Sequence, residues 1–124
     1  MNAIKKLFIV EDNPLYAKQL SKFITNKFDN KLNVKTFVVS ETCMMSMHEN
    51  PDIIIMDHVL NTKFHDAEEG YNALIQIKKD YPSIKLILHS GTMQFLNIDP
   101  NICNEIPKDE NSLVEIEKYL NHLI

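Results

Sequence analysis

The chain has 124 residues, 44% of them hydrophobic, with two glycines, two cysteines and a net charge of −4. That length fits one domain with one well-filled core and excludes a repeat array or a Gly-rich linker protein. The negative charge argues against nucleic acid as a direct partner, because phosphate binding wants a basic face. Cys43 and Cys103 lie far apart without metal-type spacing, so they read as reduced, buried thiols of a cytoplasmic protein. Only four apolar residues separate the lysines near the N-terminus from Glu11. That is too short for a signal-peptide core or a membrane span, and no membrane association is expected.

Leu7-Phe8-Ile9-Val10 is a short apolar run that stops at two acids, Glu11 and Asp12, and it reads as a first strand. Asn13-Pro14 breaks it, with the proline placed to open a helix. Tyr16, Leu20, Phe23, Ile24 and Phe28 then fall on one helical face. After a turn at Asp29-Asn30-Lys31, residues 32–38 alternate roughly apolar and polar, which suits a strand near the edge of a sheet. Ser40 is the expected N-cap of a short helix over residues 41–49. Met44, Met45 and Met47 are read there as core filler, and Asn50-Pro51 ends the helix.

Asp52-Ile53-Ile54-Ile55-Met56-Asp57 is an uninterrupted apolar run between two carboxylates. It suits a strand buried on both faces, in the middle of a parallel sheet. Residues 58–69 are polar and irregular and read as a long loop. Gly70 opens a helix carrying Leu74, Ile77 and Tyr81, and Tyr81-Pro82-Ser83 breaks it. Residues 84–88 form the expected fourth strand, leading into His89-Ser90-Gly91. The segment 92–101 is weakly helical at best, since Asp99-Pro100 cuts it short. Residues 102–106 are the expected fifth strand and end in Pro107-Lys108. Asn111 or Ser112 then caps a last helix with Leu113, Ile116, Leu120 and Leu123 on one face. Five alternations of strand and helix predict an α/β fold, with right-handed crossovers and a parallel sheet covered on both sides.

Four strand ends carry polar groups: Glu11-Asp12, Asp57, Ser90 and Lys108. In a parallel sheet all carboxyl ends lie on one edge, where ligands bind. Three carboxylates in one pocket repel, at about 4 kcal/mol per pair for a 4 Å separation and an effective dielectric near 20. Either one of them takes up a proton or a divalent cation balances them, and hard carboxylate oxygens suit Mg2+. A carboxylate beside Mg2+ can act as a nucleophile on a phosphoryl group. Lys108 would then neutralise one phosphoryl oxygen and the Ser90 hydroxyl would donate to another.

This pattern resembles the response-regulator receiver domain over essentially the whole chain. The residues that carry the resemblance are Val10-Glu11-Asp12-Asn13, Met56-Asp57, Ser90-Gly91 and Lys108, in order and at strand ends. The resemblance implies a doubly wound, flavodoxin-like five-stranded parallel sheet of order 2-1-3-4-5; against the family pattern, the helix before the last strand is expected to be short or irregular. It implies one receiver domain over residues 1–124 with no output domain, present as a monomer or weak dimer. It further implies Mg2+ held by Asp12 and Asp57, by the Val59 backbone carbonyl, and by Glu11 through water. The phosphoryl group would pass to Asp57 from a sensor histidine kinase or phosphotransfer protein, or from a small donor such as acetyl phosphate. The modified chain would then switch contact with a downstream protein.

Two positions depart from the family pattern. Asp109, not proline, follows Lys108, with Pro107 before it, so the usual cis peptide after the lysine is not expected. Glu105 stands where the family has an aromatic residue that moves inward, and a carboxylate does not bury in an apolar slot without a large desolvation cost. These departures motivate one alternative, a degenerate receiver acting as a phosphorylation-independent interaction module. Another is an aspartyl-phosphate phosphohydrolase, against which Val59 stands where such enzymes carry a second acid. The same Val59 offers no side chain to orient a water, so slow self-dephosphorylation is expected. His58 and His89 flank the site and raise the possibility of Zn2+, although a structural zinc spacing is missing. His48, His65 and His122 are expected to face solvent.

Overall fold

The structure is a computed structural model, and it describes residues 4–29, 31–57, 69–89, 91 and 98–124. Five parallel strands form one sheet: β1 (Lys5–Val10), β2 (Leu32–Phe37), β3 (Ile53–Asp57), β4 (Lys85–His89) and β5 (Asn104–Glu105). Their spatial order is β2-β1-β3-β4-β5, as the resemblance implies. Among the described residues four α-helices accompany them: α1 (Pro14–Lys27), α2 (Ser40–Met45), α3 (Glu69–Asp80) and α4 (Ser112–Leu123). No helix among the described residues is long and apolar enough to cross a membrane.

Side chains alternate across the strands, and the two faces are covered separately. Ile9, Ile55 and Ile87 pack under Leu20 and Ile24 of α1 and Ile116 and Leu120 of α4. Phe8, Val10, Ile54, Met56 and Leu88 pack under Cys43, Met47, Leu74 and Ile77 on the side of α2 and α3. Every residue of β3 is buried, as its continuous apolar run requires at the centre of a doubly covered sheet. Strand β2 is an edge, and its interior positions are partly exposed. Both cysteines are free and buried, and burial pushes each thiol up to about 12.

Several local expectations are corrected. Ser40 is the first residue of α2, not its cap: Val39 holds the extended cap position and no side chain bonds the helix start. The helix expected over 41–49 is in two pieces, because the Ser46 N–H donates to the Cys43 carbonyl and tightens the chain into a 3-10 turn over Met47–Glu49. Asn50 ends that turn at φ 59, a left-handed conformation that asparagine tolerates. Of the three methionines only Met47 is core; Met44 is exposed and Met45 is 77% exposed. Strand β4 runs one residue further than expected, to His89.

Strand β5 is reduced to two residues. The Ile102 and Cys103 amides both turn back to the Asp99 carbonyl, at 3.0 and 3.4 Å, and so are lost to the ladder. Neither Asn111 nor Ser112 caps α4 through its side chain. Asp109 organises that turn instead: its carboxylate accepts from the Asn111 N–H at 2.8 Å, and its carbonyl accepts from the Ser112 hydroxyl at 2.8 Å. The helix expected before β5 falls mostly on residues outside those described, as does the long loop after Asp57.

Candidate functional site

Strands β1, β3 and β4 lie side by side and end in Val10-Glu11, Asp57 and His89. Parallel pairing aligns these ends, and Asp57 is in register with His89. Glu11 keeps its amide in the sheet by donating to the Phe37 carbonyl at 2.9 Å. Asp12 then starts the turn into α1, which Asn13 caps: its Oδ1 accepts from the Leu15 and Tyr16 amides at 3.0 and 3.2 Å, and Pro14 takes the first helical position. The helix start is thus satisfied by asparagine, which leaves the two acids for another role.

Ligand atoms of Glu11, Asp12 and Asp57 all lie within 4.8 Å of one another. Glu11 and Asp57 are only 3% and 4% exposed. Glu11 Oε2 accepts from the Asn13 N–H at 3.1 Å. Lys108 enters from the turn after β5, and its Nζ lies 2.6 Å from Glu11 Oε1 and 3.3 Å from Asp57 Oδ2.

The electrostatics follow from burial and crowding. Burial first, and the Glu11 charge second, push the Asp57 carboxyl up to about 8, against the pull of Lys108. Asp12 is raised for the same two reasons. Burial alone would lower the Lys108 ammonium, but its bond to Glu11 and the charges of Asp57 and Glu11 outweigh that and raise it. One ammonium faces three carboxylates, so the pocket is short of positive charge. The donor set is all carboxylate oxygen, tightly clustered and mostly buried, and it fits a hard divalent cation such as Mg2+.

Two residues take part in the site in ways that sequence reasoning does not give them: the sequence places His89 only as a flanking residue and Tyr16 only on an apolar helix face. The His89 imidazole is 1% exposed; its Nδ1 is 2.6 Å from the Ile106 carbonyl oxygen and its Nε2 is 2.6 Å from the Tyr16 hydroxyl. A carbonyl only accepts, so Nδ1 carries the proton, and the Tyr16 hydroxyl donates to Nε2. Burial holds the imidazole below its ordinary pKa, which favours this neutral form. Tyr16 lies stacked on His89, ring centroids 5.7 Å apart, and its face lies 4.9 Å from Lys108 Nζ.

No protein-family model matches the chain, and no curated protein matches it in sequence. Solved structures do match in fold. A signal receiver domain of a DNA-binding response regulator from Colwellia psychrerythraea 34H superposes at a TM-score of 0.77 with 20% identity, covering 96% of this chain and 97% of that one. A CheY-like response regulator receiver domain from Methanospirillum hungatei JF-1 gives 0.74 and 19%, with 98% and 94% covered. The isolated receiver domain of RcsB from Salmonella enterica serovar Typhimurium gives 0.74 and 17%, with 96% and 86% covered. The chain has the receiver-domain fold.

Within that receiver fold, four of the residues singled out from the sequence are brought together: Glu11, Asp12, Asp57 and Lys108. Ser90 and Val59 lie outside the described residues, as do His58 and His65. The Zn2+ alternative loses its other histidine, because both ring nitrogens of His89 are already hydrogen-bonded within the protein. His48 and His122 are exposed, as expected, and so is Glu105. No cis peptide occurs among the described residues. A signal for His89 is present in the sequence: an imidazole that ends an apolar strand must find partners for two nitrogens once buried.

Proposed function

We propose that this chain is a phospho-accepting receiver, in which Asp57 takes a phosphoryl group from a phosphohistidine and the modified domain changes its contact with a protein partner. The observation that carries the reading is the placement of Asp57: a strand-end carboxylate, nearly buried, with a lysine on one side and two further acids on the other. This is a nucleophile flanked by its charge balance.

Glu11, Asp12 and Asp57 would hold Mg2+, with the Val59 carbonyl as a further ligand. When bound, the ion supplies the positive charge that lets all three acids ionise together and neutralises charge on a phosphoryl oxygen. Asp57 in its carboxylate form attacks phosphorus; the P–O bond to Asp57 forms as the bond to the donor nitrogen, or to the acetyl phosphate oxygen, breaks. Lys108 faces a second phosphoryl oxygen and the Ser90 hydroxyl donates to a third. The new group carries a charge of about −1.5 to −2, and it competes with Glu11 for Lys108. That competition biases the turn from Lys108 to Ser112, where α4 begins.

The donor would approach over the first turn of α1, where Leu15 is exposed three residues after Asp12. The partner is a sensor histidine kinase or a phosphotransfer protein, and the signal leaves by protein–protein contact. The test is intact-mass spectrometry of wild type and Asp57→Asn after incubation with Mg2+ and acetyl phosphate, with beryllofluoride as a mimic. One phosphoryl adduct on wild type, absent from the variant, supports a working receiver.

A second reading is a phosphorylation-independent interaction module of the same fold. The Lys108–Glu11 contact favours it, since an ammonium 2.6 Å from Glu11 and a protonated Asp57 make a site that is quiet without a cation. Partner binding and signalling that survive Asp57→Asn would select this reading.

A further inference from the structure

We propose that Tyr16 and His89 form a positioning pair that holds the Lys108 ammonium at the acid cluster. The kinetic part of this proposal rests on the phosphoryl-acceptor reading; the structural part does not. Lysine is a point charge on a flexible four-carbon stem, and no proline follows Lys108 to stiffen its turn. Something else must fix where the charge sits. On one side it meets Glu11 and Asp57. On the other it meets the face of Tyr16 at 4.9 Å, where a cation is attracted by the ring quadrupole.

His89 fixes that ring and the lysine's own backbone at once. Its Nε2 takes the Tyr16 hydroxyl, and the two rings stack with an interplanar angle of 29°. Its Nδ1–H donates to the carbonyl of Ile106, two residues before Lys108. His89 is itself anchored in the sheet as the in-register neighbour of Asp57. One imidazole thus ties the strand beside that of Asp57 to the turn that carries the lysine and to the ring beneath its charge. An apolar residue would fill the same buried position without the desolvation that two ring nitrogens require.

The experiment uses the full chain with 13C-labelled lysine, the Lys108 signal being assigned by its loss in Lys108→Arg. The Tyr16 ring should displace the Lys108 ε-methylene resonance upfield of the other lysines. Tyr16→Phe, which keeps the ring but loses its hydroxyl link to His89, keeps part of that displacement, Tyr16→Leu abolishes it, and His89→Leu reduces it. His89→Asn, whose amide can still donate to the Ile106 carbonyl, recovers part. With Mg2+ and acetyl phosphate, the adduct rate should fall roughly tenfold in Tyr16→Leu and His89→Leu, within the hundredfold that a misplacement of about 1 Å can cost. The conservative variants should fall less.

An identical Lys108 resonance in wild type and Tyr16→Leu overturns the pair. So does His89→Leu with both resonance and rate at wild-type values. Should His89→Leu fail to fold, His89→Asn decides, because it breaks the link to Tyr16: an unmoved resonance there overturns the role of His89. A displaced, His89-dependent resonance in a wild type that takes no phosphoryl group removes the acceptor reading and leaves the pair standing.

Discussion

Lys108 sits closer to Glu11 than to Asp57, 2.6 Å against 3.3 Å, so its first ionic partner is Glu11 and not the proposed phosphoryl acceptor. The lysine therefore has two tasks that pull apart. It shields the acids in the free pocket, and under the proposed function it would turn to the phosphoryl group once that arrives.

Removing the ammonium should separate these tasks. In Lys108→Ala the acid cluster loses its nearest positive charge, so a divalent cation is held more tightly. The gain should be several-fold, from an interaction of about 1 kcal/mol for a partly exposed charge. The adduct rate with acetyl phosphate should fall by about 10²-fold, as for other lost stabilisers of developing charge. Mg2+ titration and intact mass measure the two effects. Affinity and rate falling together would contradict this division of labour.

The raised Asp57 makes stability depend on pH in a definite direction. An unfolded aspartate titrates near its ordinary value of 3.8, whereas the folded carboxyl is pushed up to about 8. Between those values the folded chain holds a proton that the unfolded chain has released, so stability falls as pH rises. The contribution is fully present below about pH 4 and lost as pH passes about 8. Asp12 is raised and adds in the same direction. Thermal melts in chelator should therefore show Tm decreasing from about pH 6.5 to about pH 8, above the range in which the lowered His89 imidazole works in the opposite direction. Asp57→Asn should flatten that slope and raise Tm at the alkaline end, and Mg2+ should raise wild-type Tm there more than at the acid end. A flat wild-type profile in chelator between about pH 6.5 and about pH 8 would show that Asp57 is not raised.

Asn13 links the helix to the acids. Its side chain accepts from two amides at the start of α1, and its own amide donates to Glu11 Oε2. Asn13→Ala should cost about 1 kcal/mol of stability, the ordinary value of an N-cap. It should also weaken Mg2+ binding, because the turn carrying Asp12 loosens. Asn13→Ser should recover most of the stability. Chemical denaturation and Mg2+ titration follow the two losses, and an Asn13→Ala variant as stable as wild type would mean that the cap carries no weight.

The doubly wound sheet is legible in the sequence because its apolar runs are unbroken. Leu7 to Val10 and Ile53 to Met56 have no polar interruption, and only the centre of a parallel sheet asks for that. Glu11, Asp12, Asp57 and Lys108 are legible because strand ends share one edge, so residues far apart in sequence have to meet. What stays hidden depends on local competition for hydrogen bonds. Ile102 and Cys103 look like a strand by side chain, yet their amides go to Asp99. Ser40 looks like a cap, yet its hydroxyl turns to the Glu41 carboxylate at 3.2 Å. Tyr16 reads only as the first residue of an apolar helix face, since periodicity records which side a residue faces and not what its hydroxyl reaches.

Leu15 separates transfer from acceptance. It lies in the first turn of α1, 68% exposed, immediately before Tyr16 and three residues after Asp12. Under the proposed function, an exposed leucine at the rim of a buried acid cluster would supply contact area for a protein donor, and a small donor would use none of it. Leu15→Asp should cut phosphoryl transfer from a phosphohistidine protein by about tenfold or more, the order of a buried apolar anchor at about 1.4 kcal/mol per decade. Modification by acetyl phosphate should stay at the wild-type rate, since the acid cluster and Lys108 are untouched. Stability should change little, because the side chain already faces solvent. Paired rate measurements with the two donors decide the matter: equal losses with both would place Leu15 in the reaction itself, and equal retention would move the donor's docking surface away from the first turn of α1.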